Sequence, residues 1–175
     1  NDPPPPPALI TFEKLGELVS LKVNVADIVE YTKPRTMGIP GTPINIPIAG
    51  TKVVVIVKGD CLLTTDLTSA KYDAIDNAKR TATIILHTPI VKQARLNHAV
   101  GGTRIYAVTN KGIEKMIPGS GNRTTAIDDA MKLAQQKVDD ASKSPEVIHD
   151  AQENAERVLK AMFSGVNWNV NIIWK

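Results

Sequence analysis

His87 is the residue in this sequence best suited to acid–base chemistry, because it ends a strand-like apolar stretch just before Pro89. An imidazole exchanges protons near neutral pH, and a neighbouring carboxylate would orient it. Asp60 and Asp66 are the carboxylates that a sheet could bring beside it. One hypothesis is therefore a hydrolase or ligand-processing domain that uses His87. The alternative is a histidine with a structural role at the end of a strand.

The spacing of the other metal-ligating residues favours neither a metal nor a cofactor. His98 and His149 do not stand two or four residues from another histidine, as a shared metal face would require. A solvated helix face accounts for His149. Four aspartates match no calcium loop and are expected to cap loops instead: Asp60, Asp66, Asp73 and Asp76. We expect no metal and no cofactor.

Two further features have simple structural interpretations. Cys61 is the single cysteine, so no disulfide can form within the chain, and its apolar neighbours predict a buried thiol. The turn Gly119-Ser120-Gly121 could hold an anion together with Arg123 at a helix start. Without a preceding strand and phosphate-loop motif, a flexible turn is the preferred interpretation.

The charge distribution points to one candidate binding surface. The chain carries 21 Lys and Arg against 18 Asp and Glu, a net charge of +3. Residues 79–123 hold eight of these cations and one acid, Glu114. We predict that Lys92, Arg95 and Arg104 face anionic lipid headgroups or polysaccharide, while cations scattered over solvated strands are the alternative. Nucleic acid is disfavoured because this segment has one aromatic residue, Tyr106.

The start of the sequence differs in composition from the rest of the chain. Residues 1–8 contain Pro3 to Pro7 and predict an extended linker. The chain starts with Asn1, so we expect a signal peptide or membrane anchor upstream. No apolar run approaches the roughly 20 residues that cross a bilayer. Residues 9–175 are expected to form one domain.

Periodicity in the first part of this domain predicts a short helix followed by strands. The helix covers about residues 10–18, and a strand with one buried face begins at Val19. Residues 33–50 are rich in proline and glycine and predict a loop or an edge hairpin. Lys52–Lys58 predicts a central strand buried on both faces. Further strands are expected over 61–65, 81–88 and 104–108, with an irregular stretch over 66–77.

The second part predicts two long helices and a final strand. Apolar residues recur at helical spacing from Ile127 to Ala141, with Thr124 or Thr125 as cap. A second helix starts with Ser144 as cap and Pro145 at its first position. Residues 166–174 alternate between apolar residues and asparagine, which predicts a strand with Trp168 and Trp174 in the core. The order predicts an α+β fold: an antiparallel or mixed sheet with both long helices on one face.

Four segments resemble the family called domain of unknown function 4230. They are Phe12–Val19, Gly59–Leu67, Ile84–Ile90 and the helical stretch Ala151–Ala161. The resemblance implies a bacterial protein with a membrane-spanning N-terminus and an extracytoplasmic domain, and it implies no active site. The chain departs from the family pattern in the basic stretch Lys92–Lys115, where the family has an acidic loop.

These observations lead to a first functional hypothesis. We expect a non-enzymatic binding module in the cell envelope, anchored by an N-terminal segment. Its partner would be an anionic lipid surface, an anionic polysaccharide or another envelope protein. The hydrolase hypothesis at His87 remains the alternative.

Overall fold

The computed structural model describes residues 15–112 and 122–175, and it confirms an α+β fold that ends in a strand. Both helices lie in the C-terminal half, as predicted. In chain order the elements are β1 (Glu17–Gly38), β2 (Asn45–Asp66), β3 (Lys71–Asp76), β4 (Thr81–Leu86), β5 (Ile90–Leu96), β6 (Arg104–Gly112), α1 (Asn122–Ser142), α2 (Pro145–Ser164) and β7 (Asn169–Trp174).

The first sheet is organised around β2. This strand lies between β1 and β5 and also pairs antiparallel with β6. Val53, Val55 and Val57 are fully buried, whereas Val54 and Ile56 are half-buried. The central position of Lys52–Lys58 is therefore confirmed, but the prediction of burial on both faces is wrong. The strand predicted over 61–65 is the continuation of β2.

The second sheet contains β3, β4 and β7. Strand β4 pairs antiparallel with β3 and parallel with β7, where Ile84 lies opposite Ile172. The sheet is therefore mixed. The prediction of an irregular stretch over 66–77 is wrong, because β3 gains backbone hydrogen bonds from β4 that its weak alternation does not reveal.

The chain divides into two compact units. The terminal unit consists of the described residues up to Val23 together with Cys61–Ala94 and Ala141–Lys175. The central unit consists of Asn24–Asp60 and the described residues of Arg95–Asp140. The prediction that 9–175 form one domain remains a prediction.

Each unit has its own buried residues. In the terminal unit, one face of the second sheet packs against α2, with Leu86, Leu159, Phe163 and Trp168 in a common core. Trp168 is buried as predicted, while Trp174 is partly buried against that core. In the central unit, Val138 of α1 lies close to Gly59 of β2. The predicted placement of both helices on one sheet is corrected, because the strands form two sheets.

The helix boundaries show which capping signals were correct. Ser144 caps α2 by accepting a hydrogen bond from the Val147 backbone N–H, and Pro145 follows it, as predicted. Helix α1 begins at Asn122, so the predicted caps Thr124 and Thr125 lie inside it. The Thr125 hydroxyl donates to the Asn122 carbonyl oxygen instead, at 3.1 Å.

Several sequence predictions fall wholly or partly outside the described residues. The linker over 1–8 and the turn Gly119–Gly121 lie outside the described residues, as does most of the predicted N-terminal helix. Glu17 and Leu18, at the end of that helix, belong to β1. Within residues 15–112 and 122–175, no helix is long and apolar enough to span a membrane.

Candidate interaction surface

His87 lies exposed in the terminal unit, directly after β4. Asp66, at the end of β2, accepts hydrogen bonds from the Thr68 hydroxyl at 2.6 Å and the Thr68 backbone N–H at 2.8 Å. These bonds lower the pKa of Asp66, and the charge of His87 adds a smaller effect in the same direction. Asp66 therefore serves first as a turn cap. The structure describes no hydrogen bond between it and His87.

Asp60 is engaged elsewhere. Its carboxylate accepts from Arg95 Nε at 3.1 and 3.2 Å within the central unit. Asp76 accepts from the Lys79 backbone N–H at 3.0 Å and closes the turn between β3 and β4. The expected capping role is thus confirmed for Asp66 and Asp76, and Asp60 instead forms an ion pair.

The remaining candidates for metal or thiol chemistry are separated. His98 is exposed between β5 and β6, and His149 Nε2 on α2 lies 3.4 Å from Glu153 Oε1. Cys61 is fully buried on β2, as predicted. In the described part of the chain, no three His, Cys, Asp or Glu residues are grouped so as to hold a metal ion.

The three predicted anion-binding residues differ in their surroundings. Lys92 Nζ lies 2.7 Å from Glu17 Oε1 in the terminal unit, and Arg95 pairs with Asp60 in the central unit. Arg104 is exposed on β6. Both ion pairs use carboxylates from other strands of the first sheet, Glu17 on β1 and Asp60 on β2, and such exposed pairs are weak and leave the cations in contact with water.

Sequence reasoning did not identify the hairpin between β1 and β2 as a functional surface. We call residues 34–47 the hairpin arm, because every residue in this range is exposed. Its turn is closed by hydrogen bonds from Ile39 N to Ile44 O at 3.0 Å and from Thr42 N to Ile39 O at 3.1 Å. Of the two predicted alternatives for 33–50, the edge hairpin is therefore confirmed.

The arm exposes four large apolar side chains. Met37 at the end of β1 and Ile39 just after it are 58% and 38% exposed, and Ile44 just before β2 and Ile46 on β2 are 55% and 45% exposed. Isolated exposed apolar residues are common, but four on a single short hairpin form a patch of the kind found at contact sites. The sequence signal was present in their alternation, although the surrounding prolines and glycines obscured it.

Polar contacts fix the base of the hairpin to α1. Lys33 Nζ lies 2.8 Å from Asp129 Oδ2, and the Tyr31 hydroxyl donates to the same oxygen at 3.2 Å. The hydrogen bond from Lys33 lowers the pKa of Asp129 and raises that of Lys33. Burial, followed by the hydrogen bond to Asp129, raises the pKa of Tyr31. The arm thus begins directly after an anchored segment.

Comparison with known proteins gives one result. Neither the curated proteins nor the solved structures yielded a match. The sequence model of the family described as "Protein of unknown function (DUF4230)" matches residues 11–173. This range covers nearly the whole chain, as the four resembling segments predicted. The chain therefore belongs to the DUF4230 family.

Proposed function

We propose that this chain is a non-catalytic contact module of a membrane-anchored protein in the bacterial cell envelope, with the hairpin arm as its contact surface. The observation that carries the proposal is the arm itself: a hairpin in which every residue is exposed and four are large and apolar. Water contact with this surface costs free energy that a partner would recover. The contacts of Tyr31 and Lys33 with Asp129 give the arm a fixed base.

Photo-crosslinking in intact cells tests whether the arm touches a partner. The photoreactive residue p-benzoylphenylalanine replaces Met37 in one strain and the exposed loop residue His98 in a control strain. The proposal expects an adduct, to lipid or to protein, at position 37 and little at position 98. Equal yields at both positions would argue against the arm as contact surface.

The envelope location rests on the proline-rich start and on the family resemblance. A membrane-impermeant maleimide can test it, because the native Cys61 is fully buried and should stay unlabelled. A Val100→Cys variant places a thiol at a fully exposed loop position. We expect labelling of this variant in spheroplasts, in which the outer layers of the envelope are opened while the cytoplasmic membrane stays intact. Labelling only after lysis of the cytoplasmic membrane would contradict an extracytoplasmic location.

Lys92, Arg95 and Arg104 remain proposed contacts to an anionic surface. Their exposure supports the proposal, whereas carboxylates partly neutralise the charges of Lys92 and Arg95. Because exposed charges are screened over about 10 Å at 0.1 M salt, binding to anionic polysaccharide should weaken as salt rises. Replacing the three residues by Gln should remove this binding. Retention that is insensitive to both changes would exclude a role for them.

A hydrolase or ligand-processing activity at His87 is the second candidate. Its support is the electrostatic influence of His87 on Asp66 within the terminal unit. The Thr68 hydrogen bonds compete with it, because they already occupy the Asp66 carboxylate. Restoration of a gene-deletion phenotype by His87→Ala would exclude this activity. Restoration by an arm variant but not by His87→Ala would favour it over the contact module.

A further inference from the structure

We propose that the hairpin arm inserts one apolar face into the interfacial region of an anionic lipid bilayer. The inference rests on the proposed function, in which the arm is the contact surface, and it names the partner. Every residue of the arm from Pro34 to Pro47 is exposed. A bilayer surface accepts an exposed apolar segment without a matching groove, which a protein partner would have to provide.

The register of the hairpin places the apolar side chains together. Ile39 lies opposite Ile44, as their backbone hydrogen bond at 3.0 Å requires. Opposed residues of an antiparallel pair share a face, and so do residues two apart on one strand. Met37 and Ile46 therefore lie on the same face as this pair. Gly38 and Asn45, which are close neighbours, lie on the other.

The backbone of the arm is also suited to a medium of low polarity. Pro34, Pro40, Pro43 and Pro47 have no backbone N–H group. The Ile39 and Thr42 backbone N–H groups are satisfied within the turn. Because unpaired donors are costly in lipid, both features reduce the penalty of insertion.

The charge of this region favours an anionic surface. Residues 31–59 contain no aspartate or glutamate and carry four cations, Lys33, Arg35, Lys52 and Lys58. Two of these cations pair with carboxylates from outside the range, Lys33 with Asp129 and Lys52 with Glu30. Within the arm, Arg35 is the one charged residue, at the end nearest the base. An apolar tip followed by cations matches the order of acyl chains and anionic headgroups in a leaflet. A protein groove remains an outcome that the experiment must separate.

Vesicle flotation tests the inference on the purified chain of residues 1–175. The vesicles contain phosphatidylcholine and phosphatidylglycerol at a ratio of about three to one, with pure phosphatidylcholine as comparison, because an anionic leaflet attracts cations beside the membrane. We expect the chain to float with the mixed vesicles and more weakly with the neutral ones. Failure of the chain to float with the mixed vesicles would overturn the inference.

Paired substitutions link flotation to the arm. Ile39→Ser with Ile44→Ser should lower the partition coefficient between vesicles and water about tenfold or more, because two isoleucine side chains are no longer transferred from water into the bilayer. Ile90→Ser with Val100→Ser is the matched control, since both residues are exposed large apolar residues outside the arm. The control pair should float like the unmodified chain. Equal losses for both pairs would overturn the inference, and circular dichroism verifies that all variants are folded.

A fluorescence measurement identifies the inserted site. With Ile44→Trp, addition of mixed vesicles should shift the emission to shorter wavelength, whereas Val100→Trp should show no shift. The native Trp168 and Trp174 lie in or against the core of the terminal unit, and the unmodified chain with vesicles gives their background. Absence of a shift for Ile44→Trp would contradict insertion.

The outcomes separate this inference from the proposed function. If the chain does not float but the Met37 position crosslinks to protein in cells, the lipid inference is wrong and the contact module stands. If the Ile39→Ser, Ile44→Ser pair instead converts a concentration-dependent oligomer into a monomer, a second copy of the chain is the partner. If position 37 does not crosslink and the chain neither floats nor shows the Ile44→Trp shift, both proposals fail.

Discussion

At the scale of single residues, Asp129 sets the base of the hairpin arm. Its carboxylate receives Lys33 and the Tyr31 hydroxyl from β1, so one side chain on α1 fixes two residues beside the arm. Neither partner was identifiable in the sequence, because 98 and 96 residues separate them from Asp129. The sequence predicted the helix that carries Asp129, but it did not indicate that this carboxylate contacts β1.

The pKa shifts predict how this contact responds to pH. The folded-state pKa of Asp129 is lowered, so its contribution is present above about pH 4 and is lost as pH falls through the folded value. The pKa of Lys33 is raised, so its contribution is present below about pH 10 and is lost as pH rises through the folded value. Asp129→Asn should therefore destabilise the protein between these limits, and the difference should shrink outside them.

Chemical denaturation across this pH range checks that prediction. Asp140→Asn is the control, because Asp140 is an exposed aspartate on the same helix. It should show little effect on the free energy of unfolding. A destabilisation by Asp129→Asn that is unchanged at pH 2 would contradict the assigned contact.

Gly59 lies inside β2 at a point where two neighbouring groups leave no room for a side chain. A Cβ atom there would lie 2.7 Å from the Arg95 carbonyl oxygen and 2.7 Å from Val138 Cγ2. Gly59→Ala should therefore lower the free energy of unfolding by about 1 to 3 kcal/mol, as overpacking does. Gly165→Ala is the control, because Gly165 has ordinary helical dihedral angles and its nearest contact would be 3.3 Å. Equal stability of both variants in urea would contradict the close approach.

At the scale of elements, local signals identified α2 and missed β3. Ser144 and Pro145 mark the start of α2 through chemistry that acts within four residues. Strand β3 depends on pairing with β4, and exposed residues such as Ala74 and Ile75 interrupt its alternation. The parallel pairing of β4 with β7 joins positions as distant as Thr81 and Asn169, which no local pattern specifies.

The cap of α2 gives a prediction at this scale. Ser144→Ala removes the acceptor for the Val147 backbone N–H and should destabilise the terminal unit by about 1 kcal/mol. Ser144→Asp should restore most of the loss, because aspartate accepts the same hydrogen bond. Thermal unfolding measures both changes. No loss with alanine would mean that the cap contributes nothing to stability.

At the scale of the whole molecule, the order of the elements was enough to predict the α+β class, and the resemblance of four segments was enough to predict the family. They were not enough to predict the two sheets or the two compact units, because both follow from long-range pairing. The candidate contact surface could be predicted from the sequence only in part. The prolines and glycines over 33–50 were compatible with a hairpin, but the exposure of every residue in the arm is a property of the folded chain.

The central claim is that the hairpin arm is covered in its native setting, and thiol labelling measures this most directly. The full-length protein carries Met37→Cys in the arm or Val100→Cys in the exposed loop, with Cys61 buried in both. Each variant reacts with a water-soluble maleimide, once purified in detergent-free buffer as residues 1–175 and once in isolated cell envelopes. We expect the thiol at position 37 to react at least about tenfold more slowly in envelopes than in the purified chain, while position 100 reacts alike in both. Equal rates for position 37 in the two settings would contradict the account.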